Sequence, residues 1–285
     1  MATEMGAVAS LWRYPVKSMR GEELPAAELT AYGLLGDRAY ALIDGADGKV
    51  ATAKNPGKWP TLFGFRATFI DQPKRGAARA AVRITLPDGS TVASTARECN
   101  VVLSKILNRA VTLAAVERGQ VTGVHSTLPA SWTGTAEEYW PDIGGLDHRD
   151  TVTDFALPTG TFFDGATVHL LTTATLKRLH DLYPQGRFDA PRFRPNLVVE
   201  MGAGETGFVE QTWIGHTLAI GDAVRLKITG PCGRCVMTTL AQGDLPKDSG
   251  ILRTAVQHNQ SRVGVYAAVV QGGTIGRGDR VRMSE

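Results

Sequence analysis

The sequence is short of cysteine, of net charge and of long apolar runs, and each shortage closes off a class of protein. Three cysteines in 285 residues, Cys99, Cys232 and Cys235, are too few and too odd in number for a disulfide framework. That points to a reducing compartment. A formal net charge of +3 is far from the basic excess of a dedicated nucleic-acid binder. No stretch approaches the roughly 18 apolar residues of a membrane-spanning helix. Met1 to Leu11 has neither the basic start nor the apolar centre of a secretory signal. The expectation is a soluble cytoplasmic protein with no nucleic-acid and no membrane partner.

What is present is material for a core and many short strands. A hydrophobic fraction of 43% supports one large domain or two modest ones. Extended runs are expected at 8–14, 40–43, 111–116, 167–171, 196–200, 213–218, 223–228, 236–240, 263–270 and 279–283. Pro87-Asp88-Gly89-Ser90 reads as the turn of a hairpin between 81–86 and 91–93. Val102, Leu103, Ile106 and Leu107 recur at helical spacing and predict a helix over 98–108. Leu176, Leu179 and Leu182 predict a second over 174–182, capped by Thr172 or Thr173. From Gly123 to Thr161 the periodicity disappears, which marks a functional loop or lid and the boundary between units at 1–124 and 125–285. The fold class is mainly β with helical decoration (α+β), barrel-like in architecture.

The chemistry concentrates at Gly230-Pro231-Cys232-Gly233-Arg234-Cys235. Val224, Leu226 and Ile228 alternate with Arg225, Lys227 and Thr229 as in a strand, which Gly230 and Pro231 are expected to end. A thiol beside an arginine in a turn deprotonates readily, and a thiolate is both nucleophile and soft metal ligand. Three other readings share the spacing: half of a zinc site, a thioredoxin-like dithiol, or two buried cysteines acting as apolar side chains. The first lacks a second ligand pair at finger spacing. The second wants a helix where Val236-Met237-Thr238-Thr239-Leu240 looks β-like.

Several other stretches suit anions. Arg192 and Arg194 stand two apart on a segment that Pro195 should hold extended, so both should point the same way, with Asn196 alongside. Tyr14-Pro15-Val16-Lys17-Ser18 delivers a lysine and a hydroxyl into a turn. Gly33 and Gly36 lead into an Asp37-Arg38 pair. Thr172 and Thr173 stand where free backbone N–H groups open a helix. Each alone also describes a solvated face, a turn or an ordinary cap. Together, one soft thiolate and several phosphate-binding elements fit a large anionic cofactor that carries a metal.

At these residues the chain resembles the MOSC family, in the branch with an N-terminal β-barrel extension that includes the mitochondrial amidoxime-reducing components and bacterial relatives. The resemblance rests on Tyr14 to Ser18, Gly36 to Arg38, Phe162 to Asp164, His169 to Thr173, Arg192 to Asn196, Cys232 to Cys235 and Gly276 to Arg280. It implies a MOSC β-barrel core plus an N-terminal β-barrel-like domain, and the pyranopterin molybdenum cofactor (molybdenum-molybdopterin). It implies Cys232 as catalytic residue and molybdenum ligand, with Cys235 a neighbour. Lys17, Ser18 and Arg38 would contact the pterin or its phosphate, and Thr172, Thr173, Arg194 and Asn196 would line the same pocket. The implied activity is reduction of small N-hydroxylated or N-oxide substrates. No cysteine follows Cys235, so an appended ferredoxin domain is not expected. Electrons would come from a separate donor protein of flavin or iron–sulfur type. The implied alternatives are a cysteine-persulfide sulfur carrier and a molybdenum cofactor carrier.

Overall fold

Alternating apolar side chains close a barrel. The alternation is carried by Val168 and Leu170, Leu197 and Val199, Leu218 and Ile220, and Val224, Leu226 and Ile228, all buried in one interior. This computed structural model describes residues 3–117, 120–146, 150–202 and 204–284. Seven strands follow one another round the barrel: Leu197–Met201, Val168–Thr172, Arg262–Gln271, Val224–Gly233, Thr217–Ile220, Arg280–Ser284 and Thr3–Arg13, which pairs back onto Leu197–Met201. Residues 3–13 therefore close a barrel whose other six strands come from residues 168–284. Val8 and Leu11 both face its interior although three residues apart, because the register shifts between Val8 and Ser10. Val168–Thr172 and Leu197–Met201 are parallel. A parallel pair needs a crossover, and helices Thr173–Leu182 and Ala190–Phe193 supply it.

The N-terminal half builds two three-stranded sheets, Gln120–Gly123 with Val111–Glu117 and Tyr40–Asp44, and Arg66–Phe69 with Val82–Thr85 and Thr91–Ala93. Leu42, Phe65, Ile84, Leu113 and Leu103 of helix Cys99–Leu107 share its core. Cys235 and Met237 belong to that same core. The chain thus leaves the barrel just after Cys232 and plugs into the N-terminal half, which puts the two cysteines at the seam. The fold is mainly β with few helices, as expected. Among the described residues no helix is long and apolar enough to cross a membrane.

Five local expectations need correcting. Gly230 and Pro231 do not end the strand; Val224–Gly233 runs through them, with register shifts at Ile228/Gly230 and Pro231/Gly233 that absorb the missing proline donor. Trp213 ends a 3₁₀ turn, Val209–Trp213, so the run at 213–218 becomes strand only from Thr217. Val236–Leu240 is not a strand, since Val236–Thr239 forms a 3₁₀ turn. Arg192 and Arg194 are not on an extended segment. Ala190–Phe193 is helical, with proline in its first turn, and Arg194 is left-handed at φ 53°. The two arginines part company: Arg192 is fully buried and donates to the carbonyls of Arg187, Thr238, Leu240 and Pro246. That grip on Thr238 and Leu240 holds the 3₁₀ turn. Lastly, the aperiodic stretch contains a hairpin, Thr135–Trp140 with Thr151–Ala156, in unbroken register. Residues 147–149 of that stretch lie outside the described residues. Helix Gly250–Asn259 has no counterpart among the sequence expectations.

Candidate functional site

A cavity opens where the N-terminal half meets the barrel. Lys17, Ser18, Arg38 and Lys54 reach it from one side, and Asp164, His169, Arg194, Cys232, Arg234 and Tyr266 from the other. Three of its residues, Ser18 (φ 63°), Arg38 (φ 47°) and Arg194 (φ 53°), take the left-handed backbone that non-glycine residues usually avoid. Such conformations persist where surrounding contacts over-determine them. Here they do: the Arg38 N–H donates to Tyr14 O at 2.8 Å, and Arg194 Nη1 donates to Met19 O at 2.7 Å.

The sulfur side is asymmetric. Arg234 Nη1 donates to Cys232 Sγ at 2.7 Å, and its Nη2 to Phe193 O at 2.9 Å. Burial pushes the Cys232 thiol up, but Arg234, His169 and Tyr266 outweigh it and bring the pKa down to about 6. Cys235 differs: burial in apolar surroundings raises its thiol to about 11, with Lys54 only partly opposing. One cysteine is therefore a thiolate near neutrality and the other a thiol. Gly264 makes room for this. It sits at φ +81°, and a Cβ there would lie 2.3 Å from His169 Nε2 and 2.6 Å from Leu170 O. Gly264→Ala should destabilise the fold by about 2 kcal/mol or more, read by denaturant unfolding.

The cationic side is held by carboxylates. Lys17 Nζ donates to Phe162 O at 2.8 Å and pairs with Asp164. Lys54 Nζ lies 3.2 Å from Glu138 and 3.4 Å from Asp164. Burial pulls the Lys17 ammonium below its usual range, with Asp164 opposing. Against the cost of burial, Lys17 and Lys54 hold the Asp164 carboxyl well below the usual carboxylate range. The Arg38 and Arg194 guanidinium groups lie over the Tyr14 ring, 4.6 and 4.2 Å from its centroid. Burial and the neighbouring Arg38 lower Arg194 to about 10, still cationic at neutral pH. Asp37 underlies this side: its carboxylate accepts from Tyr14 N at 2.7 Å and Asn196 Nδ2 at 3.0 Å, and it pairs with Arg38.

Of the residues singled out in the sequence, Lys17, Ser18, Arg38, Arg194, Asn196 and Cys232 all line this one cavity. Asn196 spends its amide on the scaffold, donating to Asp37 and Trp12 O and accepting from His169 N. Thr172 and Thr173 are not among the lining residues. Thr172 is the N-cap of Thr173–Leu182, accepting from Thr175 N, and its hydroxyl donates to the buried Glu210. Thr173 Oγ1 accepts from Met201 N. Lys54, Glu138 and Tyr266 line the cavity without any motif to announce them. Asp164 and His169 sit inside recognisable stretches that assign them no role, whereas Arg234 stands where the sequence puts a cation beside the Cys232 thiol.

Five cations against two carboxylates line the cavity, and the buried Nε of Arg234 has no hydrogen-bond partner among the described residues. Such a set suits an anionic ligand. Among the described residues, no group of three or more His, Cys, Asp and Glu side chains is placed to hold a metal ion. A metal held here would have to bring most of its ligands with it, as a dithiolene cofactor does, and so the residues fit that group.

A β-barrel joined to an N-terminal β domain, with a thiolate and guanidinium groups at the seam, defines the class. The chain belongs to the MOSC family: the MOSC N-terminal beta barrel domain matches residues 5–121 and the MOSC domain residues 158–282. It is 28% identical over 242 residues to mitochondrial amidoxime-reducing component 1 of Mus musculus, covering 83% of this chain and 66% of that protein. It is 26% identical over 278 residues to a molybdenum cofactor sulfurase of Oryza sativa subsp. japonica, covering 87% of this chain and 30% of that protein. The YuaD protein of Bacillus subtilis aligns in structure with a TM-score of 0.47 and 11% identity, covering 100% of both chains. The chain thus spans about two thirds of the amidoxime-reducing relative.

Proposed function

We propose that the protein is a molybdenum-cofactor-dependent oxidoreductase that reduces small N-hydroxylated or N-oxide compounds with electrons from a separate donor protein. The observation that carries this reading is the convergence of the Cys232 thiolate with Lys17, Arg38 and Arg194 on one cavity. When bound, the cofactor supplies two-electron redox chemistry at molybdenum. Cys232 would be its protein ligand, held in place by Arg234. Lys17, Arg38 and Arg194 would hold its anionic end. Ser18 Oγ accepts from Ala53 N at 3.1 Å, which leaves its own hydrogen to donate.

Protein made in a host with intact cofactor synthesis should contain molybdenum and pterin and reduce benzamidoxime. Cys232→Ser should abolish turnover, and Cys235→Ser should largely retain it. A preparation without metal or pterin, where a relative loads fully, would overturn the reading. Loss confined to Cys235→Ser would move the ligand to that residue. A second reading, a persulfide sulfur carrier, draws on the same low-pKa thiol. Intact mass would show one sulfur atom added at Cys232 and removed by reductant.

A further inference from the structure

The hairpin Thr135–Trp140 and Thr151–Ala156 lies between the two stretches that match the family, residues 5–121 and 158–282, yet it forms part of the cavity wall through Glu138. Its strand is pinned by main-chain bonds, Val50 N to Thr135 O and Tyr139 N to Lys54 O. Successive side chains on a strand face opposite ways. Glu137 goes to the scaffold, where Lys49, Lys58 and Asn55 take its carboxylate. Glu138 goes to the cavity. Its Oε1 lies 3.2 Å from Lys54 Nζ, while Oε2 takes no hydrogen bond from any described residue. Lys54 has a second carboxylate in Asp164 at 3.4 Å, so it does not depend on Glu138 alone. If Lys17, Arg38 and Arg194 serve the cofactor and Arg234 serves Cys232, the charged groups left in the cavity are Lys54 and two carboxylates, Asp164 and Glu138.

We propose that Glu138 is a specificity-determining residue that accepts a hydrogen bond from an N–H-rich head group, such as an amidoxime or N-hydroxyguanidine. It thereby disfavours substrates that lack such a donor or carry a carboxylate. The proposal rests on the reductase reading above. A carboxylate oxygen aimed at substrate discriminates because an analogue without the donor leaves that acceptor unsatisfied.

The test uses the full chain loaded with cofactor, with E138Q and E138A. Two readouts apply: kcat/KM for benzamidoxime against pyridine N-oxide, and calorimetric binding of benzamidine. E138A should lower kcat/KM for benzamidoxime about tenfold or more, chiefly through KM, and weaken benzamidine similarly. E138Q should fall between it and the unaltered protein, and pyridine N-oxide should change less than about twofold with either variant. Equal loss for both substrates would reveal a structural role and overturn the proposal, as would an unchanged ratio. Unaltered protein that holds no molybdenum and turns over neither substrate would overturn the reductase reading and this proposal with it.

Discussion

At pH 7, iodoacetamide should alkylate Cys232 in cofactor-free protein and leave Cys235 almost untouched. With thiol pKa values of about 6 and about 11, the first is mostly thiolate at neutrality and the second almost wholly protonated. The thiolate is the reactive form, and even after allowing for the weaker nucleophilicity of a low-pKa thiolate the rates should differ by roughly two orders of magnitude. The Cys232 rate should fall as pH drops through about 6. The same shift bears on stability. A thiol whose folded pKa is depressed stabilises the fold above its unfolded value, near about 8.5, and loses that contribution as pH falls through the folded value. Unfolding in denaturant should therefore show stability rising from about pH 6 to about pH 8.5, a rise that Cys232→Ser removes. Peptide mapping that found both cysteines labelled equally would refute the asymmetry.

Asp37→Ala should be among the most destabilising single changes in the chain. The Asp37 side chain is fully buried and answers three donors: Tyr14 N, Asn196 Nδ2 and the Arg38 guanidinium. Removing it leaves a buried N–H, an amide and a cation without their acceptor. Breaking a buried pair from one side costs about 3–5 kcal/mol. Asp37→Asn keeps one acceptor oxygen and should cost less, which separates the charge from the hydrogen bonds. Chemical denaturation of both variants reads the difference. A loss under about 1 kcal/mol for the alanine variant would mean that water or a rearranged Arg38 takes over.

Helix Cys99–Leu107 and the cap at Thr172 are legible in the sequence because their signals are local: apolar spacing of 3.6 and a hydroxyl ahead of a free N–H. The turn at Val236–Thr239 is not. Its β-branched residues favour a strand, but Arg192, more than forty residues earlier, draws the carbonyls of Thr238 and Leu240 to itself. Arg194 departs from expectation for a related reason. Proline at 195 argues for an extended neighbour, and the helix C-terminus at Phe193 instead takes a left-handed residue next. The convergence of Lys17, Arg38, Arg194 and Cys232 follows from chemically competent side chains in recognisable stretches. Lys54 and Glu138 cannot be found that way, since nothing local distinguishes them from solvated charges. Only the packing of the hairpin against the segment around Lys54 brings them to the cavity.

The opening strand has a kinetic consequence. Residues 3–13 pair in the barrel with Leu197–Met201 and Arg280–Ser284, both far later along the chain. Until those segments are in place, the strand's local partner is Glu22–Leu24, which covers only Leu11 to Arg13. Contacts so far apart along the chain slow folding, and an exposed edge invites wrong partners.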